Sequence, residues 1–215
     1  LLAQCAGWHS SVLELDIVPL FETIADLDNA ARSMERLYRD PVYAKHLERR
    51  GSTQTIMLGF SDGTKDGGYV TANWQILRAK QRLTSISRDH GVQVIFFDGR
   101  GGPPARGGGN THKFYRSLGD TVDSEQIQLT VQGQTISSKY GTHAAAEYNM
   151  EQLVSAGLEN NLFPAHGARL DEEDQRFLDE LSERSQEAYL NLKNDPRFIP
   201  YLEEMTPLHY YGMTN

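Results

Sequence analysis

The strongest fold signal is VQVIFFDGRGGPPARGGG, residues 92–109, in which a short apolar run leads into a loop of glycines and arginines. The run Val92–Phe97 is rich in β-branched and aromatic residues, and it predicts a buried strand. Two similar runs precede it along the chain, at Leu13–Phe21 and Thr55–Phe60. Each run ends at turn-forming or charged residues, which is typical of a strand that leads into a loop.

Helical patterns separate these apolar runs. The clearest one is an apolar stripe within Ala72–Ile86, where apolar residues recur at steps of four and three, and Gly91 is expected to end this helix. An earlier pattern covers Leu27–Leu37, and Asp40 followed by a proline predicts that a second helix begins there. Strands that alternate with helices in this way predict an α/β protein with parallel strands.

The character of the sequence changes after Gly141. Before that point a fourth strand is predicted at Gln126–Ser137, where polar and apolar residues alternate less regularly. After it, the sequence predicts three helices, at Ala144–Leu158, Asp171–Lys193 and Phe198–Met205. The C-terminal part of the chain is therefore expected to be rich in helices.

The composition is that of an ordinary globular protein, with 215 residues of which 39% are hydrophobic and 23% charged. The net charge of −8 argues against binding nucleic acid or an anionic membrane through the whole surface. No window approaches the roughly 20 apolar residues that span a bilayer. Cys5 is the single cysteine, which excludes an internal disulfide framework and fits a reducing compartment such as the cytoplasm. The chain begins without Met, and we interpret it as a piece of a longer protein.

Polar side chains of unusual chemistry follow the predicted strands. In parallel α/β proteins ligands bind beyond the carboxyl ends of strands, so these positions are candidate sites. Glu22 follows the first strand, although a carboxylate there is more often a helix cap or a solvated residue. The second strand leads into SDGTKDGG, Ser61–Gly68, where Asp62 could bind a hard divalent cation and Lys65 the anion that the metal holds. The alternative is a tight turn in which Asp66 caps the following helix.

The third predicted strand leads into the Arg/Gly loop, Gly99–Gly109, which holds two arginines among six glycines. The forked guanidinium groups of Arg100 and Arg106 match phosphate or carboxylate oxygens, and exposed backbone N–H groups can also face an anion. A flexible surface loop and an RNA-binding tract are the alternatives, although such tracts usually lie in basic, disordered sequence. The fourth predicted strand leads to Lys139, and a lone lysine of this kind is usually solvated.

Five blocks of sequence, in their order and spacing, resemble the phosphoenolpyruvate carboxylase family. They are PLFETIADLDNA (19–30), IMLGFSDGTKDGG (56–68), FFDGRGGPPARGGGNTH (96–112), LTVQGQTISSKYG (129–141) and DPRFIPYLEEMTP (195–207). The similarity covers essentially the whole chain and is greatest to bacterial members. It implies a (β/α)8 TIM barrel with additional helices, of which this chain supplies about half. Residues 1–141 are then a partial barrel that carries the catalytic loops, and residues 142–215 are a helical extension of the same domain.

The resemblance also implies a reaction. Bicarbonate attacks the phosphate of phosphoenolpyruvate to give carboxyphosphate and the enolate of pyruvate, and the enolate takes up carbon dioxide to form oxaloacetate. This carbon fixation replenishes the tricarboxylic acid cycle. The implied cofactor is Mg²⁺ or Mn²⁺, and the implied partners are phosphoenolpyruvate, bicarbonate and an aspartate-type inhibitor, with no nucleic acid and no membrane.

Six positions match residues of the family that hold the metal, the substrates or the reacting groups: Glu22, Asp62, Lys65, Arg100, Arg106 and Lys139. The two carboxylates correspond to metal ligands, and the first lysine corresponds to an active-site lysine. The first arginine corresponds to a phosphate-binding residue, and the second to a catalytic residue that also binds the inhibitor. The last lysine corresponds to one implicated near bicarbonate.

The resemblance is incomplete in two ways. Asp98 stands where the family has a histidine, so that a hydrogen-bond acceptor replaces a possible donor. The family's catalytic histidine precedes this segment and further arginines follow it, so the isolated chain is expected to be inactive. The family implies a homotetrameric parent protein, whereas the open edges of a half-barrel predict that the isolated chain self-associates.

Overall fold

In the computed structural model, residues 5, 7, 14–100, 110–163 and 170–207 are described. They contain four strands: β1 (Leu20–Phe21), β2 (Thr53–Gly59), β3 (Gln93–Gly99) and β4 (Ile127–Leu129). All neighbouring strands are parallel, and their order in the sheet is their order along the chain. The prediction of an α/β protein with about four parallel strands, as in part of a (β/α) barrel, is therefore confirmed.

Nine α-helices lie in the described residues: α1 (Ile24–Arg39), α2 (Pro41–Arg49), α3 (Phe60–Gly67), α4 (Tyr69–Asp89), α5 (Thr111–Ser117), α6 (Gln134–Tyr140), α7 (His143–Leu162), α8 (Glu172–Lys193) and α9 (Phe198–Met205). A 3₁₀ turn, Gly119–Thr121, follows α5. The six predicted helices are confirmed as α1, α2, α4, α7, α8 and α9. None of the helices in these ranges has both the length and the apolar character that crossing a membrane requires.

The register of the sheet brings the carboxyl ends of all four strands to one edge. Strands β2 and β3 pair over their full length, and one row across the sheet joins Phe21, Leu58, Asp98 and Leu129. Residues that follow this row leave the sheet on the same side. The side chains of the strand-end loops are therefore brought close together, as is usual in parallel α/β proteins.

Local sequence explains where the first helix begins and which face it buries. The Thr23 hydroxyl accepts a hydrogen bond from the backbone N–H of Asp26, and the Asp26 carboxylate accepts one from the backbone N–H of Thr23, both at 3.1 Å. This reciprocal pair satisfies two donors at the start of α1. Along the helix, Leu27, Ala30 and Met34 are fully buried at helical spacing. They form part of a core that also includes buried residues of β2, β3 and α4.

The first and fourth predicted strands are too long, and both predictions are wrong in their extent. Of the described part of the first run, only Leu20–Phe21 pairs with β2. Pro19 has no N–H to donate to a ladder, and Leu15 and Ile17 are exposed at the edge of the sheet. In the fourth run, Gly133 adopts a φ of +59°, which favours glycine, and the residues after it form α6.

The prediction of a turn at Ser61–Gly68 is also wrong, because most of this segment forms helix α3. The Thr64 hydroxyl donates to the carbonyl of Phe60 at 2.7 Å, and Gly68, whose φ is +84°, caps the end of the helix after Gly67. The suggested cap by Asp66 is wrong as well. Its carboxylate accepts a hydrogen bond from the backbone N–H of Ile24 at 2.9 Å and so joins α3 to α1.

Helix α8 packs along α3 and α4 and holds them through polar contacts. The Thr71 hydroxyl donates to the carbonyl of Ser182 at 2.8 Å, and the Trp74 indole N–H donates to the Asp179 carboxylate at 2.7 Å. Near its end, α8 contributes Tyr189, whose hydroxyl donates to the carbonyl of Lys65 at 2.8 Å. The helical part of the chain therefore supports the helix that carries two candidate site residues.

The close packing of α3 against α1 predicts the effect of a single methyl group. A Cβ added at Gly67 would lie 2.5 Å from Cγ1 of Ile24. We therefore expect Gly67→Ala to lower the free energy of unfolding by about 1–3 kcal/mol, because overpacking forces the neighbours apart. Urea unfolding followed by circular dichroism measures this change.

Gly157→Ala in α7 is the matched control. A Cβ added at Gly157 would have no heavy atom within 4 Å. Since alanine loses less backbone entropy than glycine in a helix, this change should raise the free energy of unfolding by about 0.5–1 kcal/mol. Equal effects of the two substitutions would contradict the packing argument.

Candidate functional site

The candidate residues of the described chain follow the carboxyl ends of the four strands. Glu22 comes directly after β1, and helix α3, with Asp62 in its first turn, comes directly after β2. Arg100 is the first residue after β3, and Lys139 lies on α6, which follows β4. The parallel sheet thus brings two carboxylates and two cationic side chains to one edge.

Glu22 lies against the junction of β2 and α3. A Cβ added at Gly59 would lie 2.8 Å from Cγ of Glu22, and one added at Gly63 would lie 3.2 Å from its backbone carbonyl oxygen. Only glycine leaves room for Glu22 at the first of these positions. The two glycines therefore allow the carboxylate that follows β1 to approach the helix that carries Asp62.

Asp62 and Lys65 form an ion pair on one face of α3. The Lys65 Nζ lies 2.7 Å from Oδ1 of Asp62, and the two side chains are 62% and 46% exposed. An exposed pair of this kind adds little to stability. The pair matters for position, because it holds the Lys65 ammonium group beside the Asp62 carboxylate, a candidate metal ligand. The carbonyl of Lys65 accepts hydrogen bonds from α8, including one of 2.9 Å from the ammonium group of Lys193.

The donor set at this edge fits a hard divalent cation. Glu22 and Asp62 offer carboxylate oxygens, and the Gly59 position leaves the space that Glu22 occupies. Within the described ranges, no group of three or more His, Cys, Asp or Glu side chains is placed to hold a metal. Mg²⁺ is usually bound by one or two carboxylates together with substrate oxygens and water, so two protein ligands suffice for it.

Arg100 is 8% exposed and lies between aromatic rings. Its Cζ is 4.1 Å from the ring centroid of Phe114 and 5.9 Å from that of Phe60. Burial lowers the pKa of the guanidinium group, although arginine stays protonated in proteins. A guanidinium group that is largely removed from water attracts an anion more strongly than an exposed one.

Lys139 is half-buried on α6 and lies close enough to Arg100 to sense its charge. Burial lowers the pKa of Lys139, and the positive charge of Arg100 lowers it further. Two neighbouring cationic groups that repel each other are stabilised by an anion between them. The predicted strand was to end at Ser137 and lead to Lys139, whereas the end of this segment forms helix α6, which carries the lysine.

Arg106 and most of the Arg/Gly loop, residues 101–109, lie outside the described residues. Gly99, the last residue of β3, is described, and a Cβ added there would lie 3.0 Å from the carbonyl oxygen of Leu58. The close approach of β2 and β3 at this point therefore requires a small residue. Because Gly99 is the last residue of β3, the Arg/Gly loop begins directly at the edge of the sheet.

A buried ionic cluster beneath Arg100 was not predicted. Lys80 and Asp98 are both fully buried, and the Lys80 Nζ lies 2.7 Å from Oδ1 and 2.8 Å from Oδ2 of Asp98. The Tyr115 hydroxyl donates to Oδ2 of Asp98 at 2.8 Å. Burial lowers the pKa of Lys80, an effect that Asp98 opposes, and burial raises the pKa of Tyr115.

A sequence signal for this cluster exists on α4. Lys80 stands four residues after Ile76 and three before Leu83, both of which belong to the apolar stripe. These spacings place a lysine on the buried face of the helix, where it requires a partner of opposite charge. Finding that partner across the sheet, at Asp98, requires the tertiary structure.

Comparison with known proteins gives a consistent result. The sequence profile described as phosphoenolpyruvate carboxylase matches residues 1–215. The chain is 41% identical to the phosphoenolpyruvate carboxylase of Rhodothermus marinus over 198 residues, which are 90% of this chain and 21% of that protein. It is 40% identical to the enzyme of that name from an Azoarcus species, again over 198 residues, with the same coverage of 90% and 21%.

A third relative is the phosphoenolpyruvate carboxylase of Corynebacterium diphtheriae. It is 38% identical over 202 residues, which are 94% of this chain and 22% of that protein. The chain therefore spans about a fifth of the length of the curated relatives that it matches.

Proposed function

Because the chain belongs to the phosphoenolpyruvate carboxylase family, we propose that it is a segment of an enzyme that forms oxaloacetate and phosphate from phosphoenolpyruvate and bicarbonate. One structural observation carries the proposal. Carboxylates that suit a divalent cation and cations that suit a phosphate follow the carboxyl ends of neighbouring parallel strands, at one edge of the sheet. Nothing in the comparisons supports the alternative of an anion-binding or RNA-binding module built on the Arg/Gly loop.

The proposed metal is Mg²⁺ or Mn²⁺, held by Glu22 and Asp62. When bound, the ion stabilises negative charge that develops on the substrate oxygens. The two carboxylates provide hard oxygen ligands, and Gly59 provides the space that Glu22 needs. Lys65, which pairs with Asp62 in the described structure, adds a positive charge beside the metal site and is proposed to contact the bound anion.

The proposed role of Arg100 is to hold the phosphate of phosphoenolpyruvate. Attack of bicarbonate places negative charge on the oxygens of the phosphoryl group in transfer, and a guanidinium group fixed beside Phe114 can neutralise that charge without reorganising. Lys139, close to Arg100, is proposed to bind bicarbonate. For Arg106 the family match is the support, and it implies a role in catalysis and in binding an aspartate-type inhibitor.

The wider assignments follow the same family match. We propose a complete (β/α)8 TIM barrel in the parent protein, with residues 1–141 in the barrel and residues 142–215 as its helical extension. The proposed parent is a homotetramer of the cytoplasm that supplies oxaloacetate to the tricarboxylic acid cycle. Four parallel strands leave β1 and β4 at the edges of the described sheet, so we propose that the isolated chain self-associates.

The test is an assay of oxaloacetate formation, coupled to its reduction, on the full-length protein and on the 215-residue chain. We expect the full-length protein to turn over with phosphoenolpyruvate, bicarbonate and Mg²⁺, and to stop when a chelator removes the metal. We expect no turnover from the isolated chain, because it supplies only part of the barrel. A full-length protein that forms no oxaloacetate under these conditions contradicts the proposed function.

A further inference from the structure

We propose that Asp66 is a positioning residue for the metal site: its carboxylate fixes the segment that carries Glu22 against helix α3, which carries Asp62. This inference rests on the proposed function, since it takes Glu22 and Asp62 as the metal ligands. It adds a residue that acts through the backbone of α1 and is not itself a ligand.

The sheet alone gives the segment of Glu22 little support. Glu22 follows β1, a strand of two residues that pairs with β2 through Leu20 and Phe21. Strand β1 also lies at the edge of the described sheet, so that within the described ranges no strand pairs with its other side. Contacts beyond the end of β1 therefore decide where the Glu22 side chain lies.

Asp66 supplies a directional contact of this kind. Its Oδ2 accepts a hydrogen bond of 2.9 Å from the backbone N–H of Ile24, two residues after Glu22. Ile24 is the first residue of α1, and the first N–H groups of a helix have no partner within it. A carboxylate is also favoured there by the partial positive charge at the N-terminal end of a helix. The bond joins the start of α1 to α3 at a point four residues, about one helical turn, after Asp62.

Two glycines of α3 keep the two segments in close contact around this bond. A Cβ added at Gly63 would lie 3.2 Å from the backbone carbonyl oxygen of Glu22, and one added at Gly67 would lie 2.5 Å from Cγ1 of Ile24. Because one residue separates Glu22 from Ile24, a shift of the second away from α3 also moves the first.

Helix α3 is fixed independently by α8. The Tyr189 hydroxyl and the Lys193 ammonium group donate to the carbonyl of Lys65 at 2.8 and 2.9 Å. Since α3 ends at Gly67, this carbonyl is one of the last four, which have no N–H partner within the helix. Loss of the Asp66 bond should therefore displace the start of α1, with Glu22, while α3 stays in place.

Two other roles for Asp66 make different predictions. If Asp66 were a third metal ligand, loss of its charge would weaken metal binding even where the new side chain keeps the bond to Ile24. Among the residues that the structure describes, however, no group of three His, Cys, Asp or Glu side chains is placed to hold a metal. If Asp66 served stability alone, its loss would lower the melting temperature and leave the metal affinity of the folded protein unchanged.

The test is calorimetric titration of Mn²⁺ alone into the full-length protein, below the melting temperature of every variant. The Asp62→Asn variant identifies the binding that belongs to the proposed site. We expect Asp66→Ala to raise the dissociation constant of that binding by about tenfold or more, as changes to residues that orient metal ligands do. Asp66→Asn keeps an oxygen that can accept from the Ile24 N–H, so its dissociation constant should lie closer to the wild-type value than to that of Asp66→Ala.

Asp179→Ala is the matched control. Asp179 is half-buried like Asp66, and its carboxylate also accepts a hydrogen bond from another helix, one of 2.7 Å from the Trp74 indole N–H. This bond joins α8 to α4 and not α1 to α3, so its loss should leave the dissociation constant for Mn²⁺ unchanged. A rise equal to that of Asp66→Ala would mean that general destabilisation weakens the site, and it would overturn the inference.

Gly67→Ala reaches the same displacement by a second route. Its added Cβ would push against Ile24, so we expect a raised dissociation constant for Mn²⁺, whereas Gly157→Ala should leave the constant unchanged. An unchanged constant for Asp66→Ala, or equal rises for Asp66→Ala and Asp66→Asn, overturns the inference. If Asp66→Ala does not fold, Gly67→Ala decides the question, and an unchanged constant for that variant then overturns the inference.

Failure of the proposed function gives a different result. If the wild-type protein binds Mn²⁺ through Asp62 but forms no oxaloacetate, the proposed function is wrong and the role of Asp66 stands. If the binding of Mn²⁺ does not depend on Asp62, this residue is not a metal ligand, and the inference is overturned whatever the activity.

Discussion

Replacing Arg100 by glutamine is expected to lower the kcat/KM of the full-length protein for phosphoenolpyruvate by about 10³-fold or more. Glutamine keeps a hydrogen-bonding amide but removes the charge and the forked donors of the guanidinium group. The transferring phosphoryl group carries its negative charge on several oxygens. A single neutral amide cannot stabilise that charge at the Arg100 position, which is largely closed to water.

The surroundings of Arg100 explain why the expected loss is large. The side chain is 8% exposed and is fixed beside the ring of Phe114, so its charge is neither screened by water nor free to move. Arg88→Gln is the matched control, because Arg88 lies on the exposed surface of α4. Steady-state assays of both variants measure the difference. A loss below tenfold for Arg100→Gln would show that the phosphate is held elsewhere.

Substituting Asp62 by asparagine or Glu22 by glutamine should raise the Mn²⁺ concentration needed for half-maximal activity. We expect this concentration to rise by roughly 10- to 100-fold. Metal affinity falls by this factor when only the residues that hydrogen-bond to the metal ligands are changed. Each substitution keeps the shape of the side chain and removes one negative charge, so the effect reports on charge at the metal. Titration of Mn²⁺ into the assay, and binding of Mn²⁺ followed by calorimetry, measure it.

The melting temperature should distinguish a loss of metal binding from a loss of folded protein. The Asp62 carboxylate is half exposed in its pair with Lys65, so its neutralisation should change the melting temperature little. Glu48→Gln, an exposed position on α2, is the control for loss of a surface carboxylate and should leave the metal dependence unchanged. If Asp62→Asn and Glu22→Gln both kept the wild-type metal dependence, these two residues would not be the metal ligands.

The candidate site illustrates what a parallel α/β pattern can predict. Glu22 and Arg100 were placed at strand ends from the sequence, and the sheet register brings those ends to one edge. Asp62 was assigned to a turn, yet it reaches the same edge from the first turn of α3. Its position depends on where β2 ends, and the end of this strand was predicted correctly to within one residue.

The partner of Asp98 is an example of what the sequence pattern could not predict. The sequence identified it as a departure from the family, where a histidine is usual, and left its effect open. The structure pairs it with Lys80, which is 18 residues earlier in the chain. No local pattern joins the two residues, because one lies on a helix and the other on a strand, and they meet only when the helix packs on the sheet.

The sequence alone was sufficient for β2, β3 and the helices α1, α2, α4, α7, α8 and α9. Their signals are local, because apolar spacing and capping residues act within a few positions of the chain. Tertiary structure was needed for α3 and for the Lys80–Asp98 pair. The segment SDGTKDGG is rich in glycine and is weakly helical by its own preference, and contacts with Ile24 and Tyr189 hold it as a helix. Buried charges likewise depend on partners that distant parts of the chain supply, because only folding brings those partners within hydrogen-bond distance.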